Sequence, residues 1–448
     1  MIARLVGDDV TVRCLDGTER VYLGLDAGAS TPAFERVATA VTEFLPNYSS
    51  VHRGAGAKSQ FSTHAYEDAR EKTLRFAGRS GGSDIAVLCR NTTEAINIAA
   101  HRFPLTAGDT IVTTVVEHHA NLLPWQRAAE RAGATIRYVE CGIDGTFSPA
   151  DVAAAIDSAQ RPVLLAITGA ANVTGWMPDL DPIIEHAHAR GVRVLVDAAQ
   201  LAPHRPMHTL RADLIAWSGH KMYAPFGTGV LIGPKDIFAE GAPFIVGGGA
   251  VNLVDLDGAM WTDAPDREEA GSPNVIGAVA LAAAYDTFDE IGWQTIVDHE
   301  VALARKIRHG LAAIDGVTVL GPTVGDEAID ARMLAVGTFT VANMAHPLVA
   351  ARLSHEYAIG VRHGCFCAHP YLVRLLGLSA SDTSRYRHDI TVGDRRDIPG
   401  AVRASAAISA TDADIDRLLN ALAELAAGKP EPVPYRQDPS TGDFLPEG

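Results

Sequence analysis

The chain has 448 residues and a formal net charge of −16, and apolar residues make up 47% of it and charged residues 21%. This composition is typical of soluble globular proteins of two or three domains, and it excludes a disordered or fibrous chain. A strongly negative chain without a basic block also lacks the cations that nucleic-acid binding needs.

The N-terminal sequence MIARLVGDDV shows no charged region followed by a long apolar run, and no stretch of about 18 apolar residues occurs in the chain. We therefore expect neither a secretory signal nor a membrane span. Five cysteines in such a chain predict reduced thiols and a cytoplasmic location. The lone C-x-C has no second cysteine pair elsewhere, so no metal site is predicted.

Short apolar runs alternate with longer segments of helical period between residues 85 and 235. The runs are IAVLCR, TIVTTVV, TIRYVEC, PVLLAITG, VRVLVDAA, DLIAWSG and GTGVLIG. Helical segments such as LLPWQRAAERAGA end in glycine, where a helix would stop. This alternation predicts an α/β fold with a mainly parallel seven-stranded sheet flanked by helices. Ligands of such sheets bind at the carboxyl ends of the strands.

Four parts of the chain are expected from these patterns. They are an N-terminal segment over 1–35 that packs with the smaller domain, a large domain over 36–315, a smaller α+β domain over 316–428, and an extended tail over 429–448. The smaller domain is predicted from short strands such as AVGTFTV and from the amphipathic helix DADIDRLLNALAELAAG. The tail is predicted from its Pro-rich, polar composition.

Polar residues follow the first two apolar runs. In RNTTEAINIAA, Thr92 and Thr93 open a helix whose free N–H groups and dipole favour a phosphate. Capping of the same helix by Asn91 and Glu94 is the alternative, and both can hold at once. In EHHAN, His119 could lie over an aromatic cofactor ring or move protons, or it could be a structural histidine.

Two later strand ends carry charged residues. In VLVDAAQ, Asp197 ends a buried strand, where a carboxylate is costly unless it meets a cation such as a protonated pyridine nitrogen. Capping of the next segment is the alternative role. In SGHKMYAPFGTGV, Lys221 follows a strand and could form a Schiff base. Ser218 and His220 beside it carry groups suited to a phosphate.

Taken together, these segments resemble the class V aminotransferase superfamily of pyridoxal-phosphate (PLP) enzymes of fold type I, and they are most similar to its cysteine desulfurase and selenocysteine lyase branch. The matching segments run in the expected order from YLGLDAGASTP to the final helix. They include EHHAN, NVTG, VDAAQ, SGHKMYAPFGTGVL, EEAGSPN and R-x-G-x-x-C-A-x-P. The resemblance implies PLP fold type I, with pyridoxal 5'-phosphate bound by the large domain.

The resemblance also implies roles for the cofactor residues. Lys221 would bind the cofactor covalently and remove the substrate Cα proton, Asp197 would pair with the pyridinium nitrogen, and Gln200 would contact the phenolic oxygen. His119 would stack on the ring. The implied phosphate ligands are Thr93, Ser218 and His220. Ser272 in EEAGSPN matches a position that reaches the phosphate of the other subunit, which implies a homodimer.

The substrate residues are implied in the same way. Asn172 in AANVTG and Arg403 in VRAS match residues that hold the substrate α-carboxylate, a task that suits the planar fork of arginine. His52 and Arg53 in VHRG match an active-site segment of the branch. The implied substrate is L-cysteine or selenocysteine, the implied product is L-alanine, and a protein or small thiol would accept the sulfur.

The segment RHGCFCAHP contains two candidate thiols. Cys367 falls on the position of the family's nucleophile, which takes sulfur as a persulfide. A thiolate there needs nearby positive charge, for which Arg362, His363 and His369 are local candidates. The two-residue spacing does not exclude Cys365 as the nucleophile. The C-F-C arrangement also resembles the sulfurase domain of molybdenum-cofactor sulfurases. Either cysteine could instead be a small buried filler.

The span from Cys367 to Arg403 is 36 positions, which is longer than expected in the desulfurase branch. Its residues 371–402 could form a lid, an acceptor-docking flap or an inert insertion. Another class V enzyme without a cysteine nucleophile, such as a C–S lyase, epimerase or aminotransferase, would keep the same cofactor residues. A non-catalytic scaffold or sulfur-carrier-binding protein is a third alternative. The presence of both Asp197 and Lys221 is evidence against it.

Overall fold

The N-terminal part of the chain combines short strands with two helices. A computed structural model describes residues 2–52, 54–80 and 82–447. The first elements are strands β1 (Thr11–Arg13), β2 (Glu19–Val21) and β3 (Leu23–Gly24) and helices α1 (Glu35–Phe44) and α2 (Ala57–Phe76). β1 and β2 form an antiparallel hairpin. β3 pairs in parallel with Ile359–Gly360, which connects the N-terminal segment to the C-terminal part of the chain.

A seven-stranded sheet forms the centre of the protein. Its strands are β4 (Asp84–Cys89), β5 (Thr110–Thr114), β6 (Thr135–Val139), β7 (Pro162–Thr168), β8 (Arg193–Asp197), β9 (Leu214–Ser218) and β10 (Gly229–Pro234). The order is β4-β10-β9-β8-β7-β5-β6. Neighbours from β9 to β6 are parallel, and β10 is antiparallel to β9 and β4. Each predicted apolar run contains one strand, and the predicted α/β class is confirmed.

Helices cover both faces of this sheet. They include α3 (Thr92–Arg102), α4 (Leu123–Ala132), α5 (Pro149–Asp157) and α6 (Leu180–Ala189). Alternate residues of one strand enter two different cores, so Ala86 and Leu88 pack in one and Ile85 and Val87 in the other. Because both faces are buried, the strands read as continuous apolar runs. α4 ends at Gly133, whose φ of 71° is the left-handed conformation common at helix ends.

An exposed hairpin and two long helices follow the sheet. The hairpin consists of β11 (Val251–Val254) and β12 (Ala259–Trp261), and the helices are α7 (Val275–Ile291) and α8 (Trp293–Ala312). Leu253, Leu256 and Met260 of the hairpin are exposed. α7 packs against α1 and α2. No helix in the described part of the chain is both long and apolar enough to cross a membrane.

The C-terminal part forms a second, smaller sheet. Its elements are β13 (Val317–Leu320), α9 (Glu327–Asp330), β14 (Val336–Val341), α10 (His346–Tyr357), β15 (Ile359–Gly360), β16 (Arg362–Gly364), α11 (His369–Leu375), α12 (Ala380–Thr391), β17 (Ala401–Ser405) and α13 (Asp412–Ala426). The antiparallel order is β13-β14-β17-β16. Apolar residues of α8, α10 and α13 pack together with those of this sheet in one core.

The terminal residues differ from the predicted extended tail. Residues 435–446 contain an antiparallel hairpin of β18 (Tyr435–Gln437) and β19 (Phe444–Pro446). Asp438 starts its turn, because the Asp438 carboxylate accepts a hydrogen bond from Ser440 N at 2.8 Å. Arg395 N also donates to Pro439 O at 2.8 Å, which ties the hairpin to the segment that follows α12. Composition indicated extended backbone but did not reveal this pairing.

We predict that Gly229→Ala lowers the free energy of unfolding by about 2 kcal/mol or more. A Cβ atom at Gly229 would lie 2.4 Å from Asn91 Cα, so the start of β10 would have to move away from the start of α3. Gly258→Ala is the matched control, because nothing lies within 4 Å of the added atom there. Urea unfolding of both variants measures the difference, and equal stabilities would contradict the prediction.

Candidate active site

A cavity of about 270 Å³ lies at the carboxyl ends of the central strands. Residues that follow β4, β5, β7, β8 and β9 line it, as expected for a parallel sheet. The smaller sheet and its loops contribute Arg362, Phe366, Cys367 and Arg403, and the N-terminal segment contributes Gly28 and Ala29. The cavity therefore lies where the three parts of the chain meet.

One end of the cavity has the properties of an anion site. Thr92 and Thr93 begin α3, and the Thr92 N–H donates to Ser218 Oγ at 2.7 Å. The Thr92 and Ser218 hydroxyl oxygens are 2.6 Å apart. His220 also lines this cavity, and its Nδ1 lies 3.2 Å from Ser30 Oγ. The dipole of α3 and the N–H group of Thr93 favour a negatively charged group here, whereas the Glu94 N–H donates to the capping Asn91 Oδ1 at 3.0 Å.

Asp197 and Gln200 line the cavity next to the end of β8. Only 4% of Asp197 is exposed, and its Oδ1 accepts a hydrogen bond from Ala199 N at 3.0 Å. Burial raises the pKa of Asp197, and the nearby Lys221 ammonium opposes that rise. A cationic ligand in the cavity would stabilise the carboxylate further. Gln200 Nε2 donates to Gly28 O at 2.7 Å.

Lys221 ends the short 3-10 turn that follows β9. Burial lowers the pKa of Lys221 to about 8, although the negative charge of Asp197 acts in the opposite direction. The positive charge of Arg403 contributes to this lowered pKa. The lowered pKa makes the unprotonated amine, which is the form that acts as a nucleophile or a general base, far more abundant near neutral pH than for an ordinary lysine.

The histidine that lines the cavity is His118, which corrects the prediction for His119. His118 is the extended N-cap of the 3-10 turn His119–Asn121, and its side chain lines the cavity whereas that of His119 does not. His118 Nδ1 accepts from Ala120 N at 3.0 Å, so the neutral ring carries its proton on Nε2. The pKa of His118 is lowered to about 4, mainly by burial and in addition by the positive charge of Lys221. The His119 ring instead stacks on His369, with ring centroids 5.0 Å apart.

Arg403 and Asn172 form a polar group at the opposite wall. Arg403 is 3% exposed, and it donates to Asn172 O at 2.8 Å and to Asp26 Oδ1 at 3.3 Å. Asn172 Nδ2 donates to Phe366 O at 2.7 Å. Arg403 Nε and Asn172 Oδ1 are both buried without a hydrogen-bond partner among the described residues. Because unpaired buried polar atoms are costly, a ligand that pairs them would bind favourably.

The two thiols of RHGCFCAHP occupy different environments. Cys367 is exposed and lines the cavity. Cys365 is half-buried against the main core and does not line it. Phe366 and Cys367 have φ angles of 55° and 54°, a left-handed conformation that costs about 1 kcal/mol or more for such residues. The bent backbone points the two thiols to different sides.

The remaining predicted residues lie away from this cavity. His52 is exposed, and its Nε2 lies 2.7 Å from Glu67 Oε1. Ser272 is exposed and lines a separate cavity of about 390 Å³ together with Glu269. Arg53 lies outside the described residues. Neither His52 nor Ser272 reaches the cavity of its own chain, so the role of Ser272 at a second subunit stays a prediction.

Sequence reasoning missed Asp26, which holds two arginines at the cavity. Its Oδ2 accepts from Arg362 Nε at 3.0 Å, and its Oδ1 accepts from Arg403 Nη2. The available signal was that Asp26 is the one acidic residue of YLGLDAGASTP. Nothing in the sequence EHHAN indicated that His118, and not the adjacent His119, would face the cavity. Within residues 2–52, 54–80 and 82–447, no group of three His, Cys, Asp or Glu side chains could hold a metal ion.

Comparisons with known proteins agree with this geometry. The cysteine desulfurase of Haloferax volcanii is 33% identical over 396 residues, which cover 86% of this chain and 90% of that protein. The cysteine desulfurase structures of Thermococcus onnurineus and of CsdA from Escherichia coli are each 31% identical, with TM-scores of 0.79 and 0.74. Both matches cover 91% of this chain, and they cover 95% and 94% of those chains. The model of the family described as aminotransferase class V matches residues 21–418, and the chain belongs to that family.

Proposed function

We propose that the protein is a PLP-dependent cysteine desulfurase that transfers the sulfur of L-cysteine to Cys367 and releases L-alanine. Enzymes of this family depend on pyridoxal phosphate. The observation that carries the proposal is the exposed Cys367 thiol in the wall of the cavity that also contains Lys221 and Asp197. A C–S lyase, epimerase or aminotransferase would need the other two residues but not this thiol. Selenocysteine would fit the same chemistry.

The residues of the cavity fit the cofactor. The anion site at the start of α3 suits the phosphate, with Thr92, Thr93, Ser218 and His220 as its proposed ligands. Asp197 would hold a protonated pyridine nitrogen, and this pairing would keep the buried carboxylate ionised. Gln200 would contact the phenolic oxygen, and His118 takes the place proposed at first for His119 beside the ring. Bound pyridoxal phosphate supplies an electron sink next to the substrate Cα.

The substrate amino acid would bind between Lys221 and Arg403. The guanidinium of Arg403 would bind the α-carboxylate, and Arg403 Nε and Asn172 Oδ1 are the buried atoms that lack partners there. Lys221 would bind the cofactor covalently and would move the proton at Cα, because burial lowers its pKa and so raises the neutral fraction of its amine. Arg403 thus orients the substrate, and Lys221 acts on it.

Cys367 would act on the substrate sulfur. Its thiolate would attack that atom, a sulfur–sulfur bond would form, and the bond between sulfur and Cβ would break. The electron pair of the broken bond stays with the carbon skeleton, and a proton at Cβ completes alanine. The balance is one cysteine and one enzyme thiol giving one alanine and one enzyme persulfide. An acceptor protein or small thiol would then take the outer sulfur from the exposed loop.

We further propose a homodimer in the cytoplasm, in which Ser272 and the segment around His52 contribute to the partner's site. The segments that carry these two residues are linked through the buried Arg70, because Glu67 binds His52 and both Glu67 and Glu269 bind Arg70. The exposed apolar side chains of the β11–β12 hairpin suit burial against a second copy. Five free cysteines suit a reducing compartment.

We expect Cys367→Ala to lower the formation of alanine and persulfide from cysteine about a hundredfold or more, because it removes the nucleophile. The visible absorbance of the bound cofactor should remain. Cys365→Ala is the matched control and should keep most of the activity, since that thiol packs against the core. Product analysis of the two variants measures this. A Cys367→Ala enzyme that works at the wild-type rate would refute the proposed nucleophile.

We expect Asp197→Asn to lower the rate of alanine formation about 10²- to 10³-fold, because the negative partner of the pyridinium nitrogen is lost while the hydrogen bond from Ala199 can remain. Asp213→Asn is the control, since Asp213 accepts from Val194 N at the opposite edge of the sheet. Steady-state rates and cofactor content should be measured for both. Equal losses in the two variants would point to a general effect on folding.

A further inference from the structure

The loop that carries Cys367 needs contacts to hold its shape. Phe366 and Cys367 are consecutive left-handed residues, and such backbone persists only where the surroundings enforce it. Asn172 Nδ2 donates to Phe366 O before the thiol, and Ala368 N donates to Cys365 O within the turn. These two bonds restrain the first half of the loop and leave the thiol residue itself to other contacts.

His119 supplies two contacts to the loop, one to the thiol residue itself and one just after it. Its backbone N–H donates to Cys367 O at 2.8 Å. Its ring atom Nε2 accepts from the backbone N–H of His369 at 3.2 Å, two residues beyond the thiol, and the Nδ1 atom of the His369 ring lies 3.2 Å from the same nitrogen. The two rings are parallel within 5°. One residue of the turn after β5 therefore binds the loop at Cys367 and again two residues further along the chain.

The hydrogen bond to His369 defines the state of the His119 ring. A backbone N–H can only donate, so His119 Nε2 must be an unprotonated acceptor and the neutral ring carries its proton on Nδ1. Burial and the neighbouring His369 lower the pKa of His119, which keeps the ring neutral near pH 7. Protonation would replace the acceptor with a second donor and would break this contact.

We propose that His119 is a positioning residue for Cys367, which holds the thiol loop through its backbone N–H and its neutral ring. The proposal rests on the proposed desulfurase function, because only in that function is Cys367 a nucleophile that the loop must hold in place. It gives His119 a role outside the cofactor cavity. Acid would release the ring contact while the backbone contact remained.

The direction of the pH effect follows from the lowered pKa. A histidine with a depressed pKa stabilises the folded loop above the usual histidine pKa of about 6.5, and that stabilisation is lost as the pH falls through the lower value. Among the described residues, the other titratable groups that face His119 are His369 on α11 and His118 beside it in the chain. A variant at His119 alone separates its titration from theirs.

Three variants of the holoenzyme test the proposal. His119→Gln can place a non-titrating amide oxygen near the position of Nε2, so it should retain the contact. His119→Leu removes the acceptor. His369→Ala keeps the backbone donor and removes the stacked ring. Each variant keeps the backbone N–H of residue 119, and so the comparison isolates the ring contact.

Hydrogen exchange of residues 365–369 is the first measurement, made without substrate. We expect protection in the wild type to fall in acid, after correction for intrinsic exchange, and protection in His119→Gln to stay constant. His119→Leu should show low protection at every pH, and His369→Ala should resemble the wild type. Unchanged protection in His119→Leu, or a loss in His369→Ala as large as in His119→Leu, would overturn the proposal.

Steady-state kinetics with cysteine are the second measurement. We expect His119→Leu to lower kcat about tenfold, the size of effect expected for one lost hydrogen bond, while KM changes less than about twofold because Arg403 still binds the substrate. His119→Gln should recover most of kcat. A His119→Gln enzyme as slow as His119→Leu would overturn the proposal. A wild type that forms no alanine would refute the proposed function, whereas the exchange data would still decide whether His119 holds the loop.

Discussion

The buried guanidinium of Arg403 is the point at which three parts of the chain meet. It extends from β17, donates to the carbonyl of Asn172 after β7, and donates to Asp26 after β3. A buried cation is tolerated only when it is paired and hydrogen-bonded, so these contacts have to form together. The cavity therefore exists only once the central sheet, the smaller sheet and the N-terminal segment have assembled around this side chain.

A buried carboxyl group fixes the turn that carries His118. Glu117 accepts three hydrogen bonds, from Thr114 Oγ1 at 2.8 Å, Thr168 N at 3.0 Å and Asn121 Nδ2 at 2.7 Å. Burial raises the pKa of Glu117 to about 8, and the three donors oppose that rise. They connect the ends of β5 and β7 to the turn. As a result, a neutral imidazole faces the cavity on one side, and His119 faces the thiol loop on the other.

The sequence predicted the parts of the site that follow from sheet geometry. Asp197 and Lys221 follow buried parallel strands, whose carboxyl ends share one edge, and so their proximity could be expected. The choice between His118 and His119 could not be predicted, because it depends on a loop 250 residues further along the chain. The terminal hairpin was missed for a similar reason. Pro439 O accepts a hydrogen bond from Arg395 N, which lies more than 40 residues earlier in the chain, and composition does not reveal that contact.

The segment 371–402 follows the thiol loop without closing the cavity. None of its described residues lines the cavity, and α12 buries none of its side chains, so the segment does not act as a lid in this structure. It is tied to the terminal hairpin, and the hairpin reaches β16 through the contact of Asp443 Oδ1 with His363 Nε2 at 3.2 Å. β16 leads directly into the loop of Cys367. We therefore expect this segment to affect the approach of a sulfur acceptor more than the binding of the amino acid, whose α-carboxylate Arg403 would hold inside the cavity.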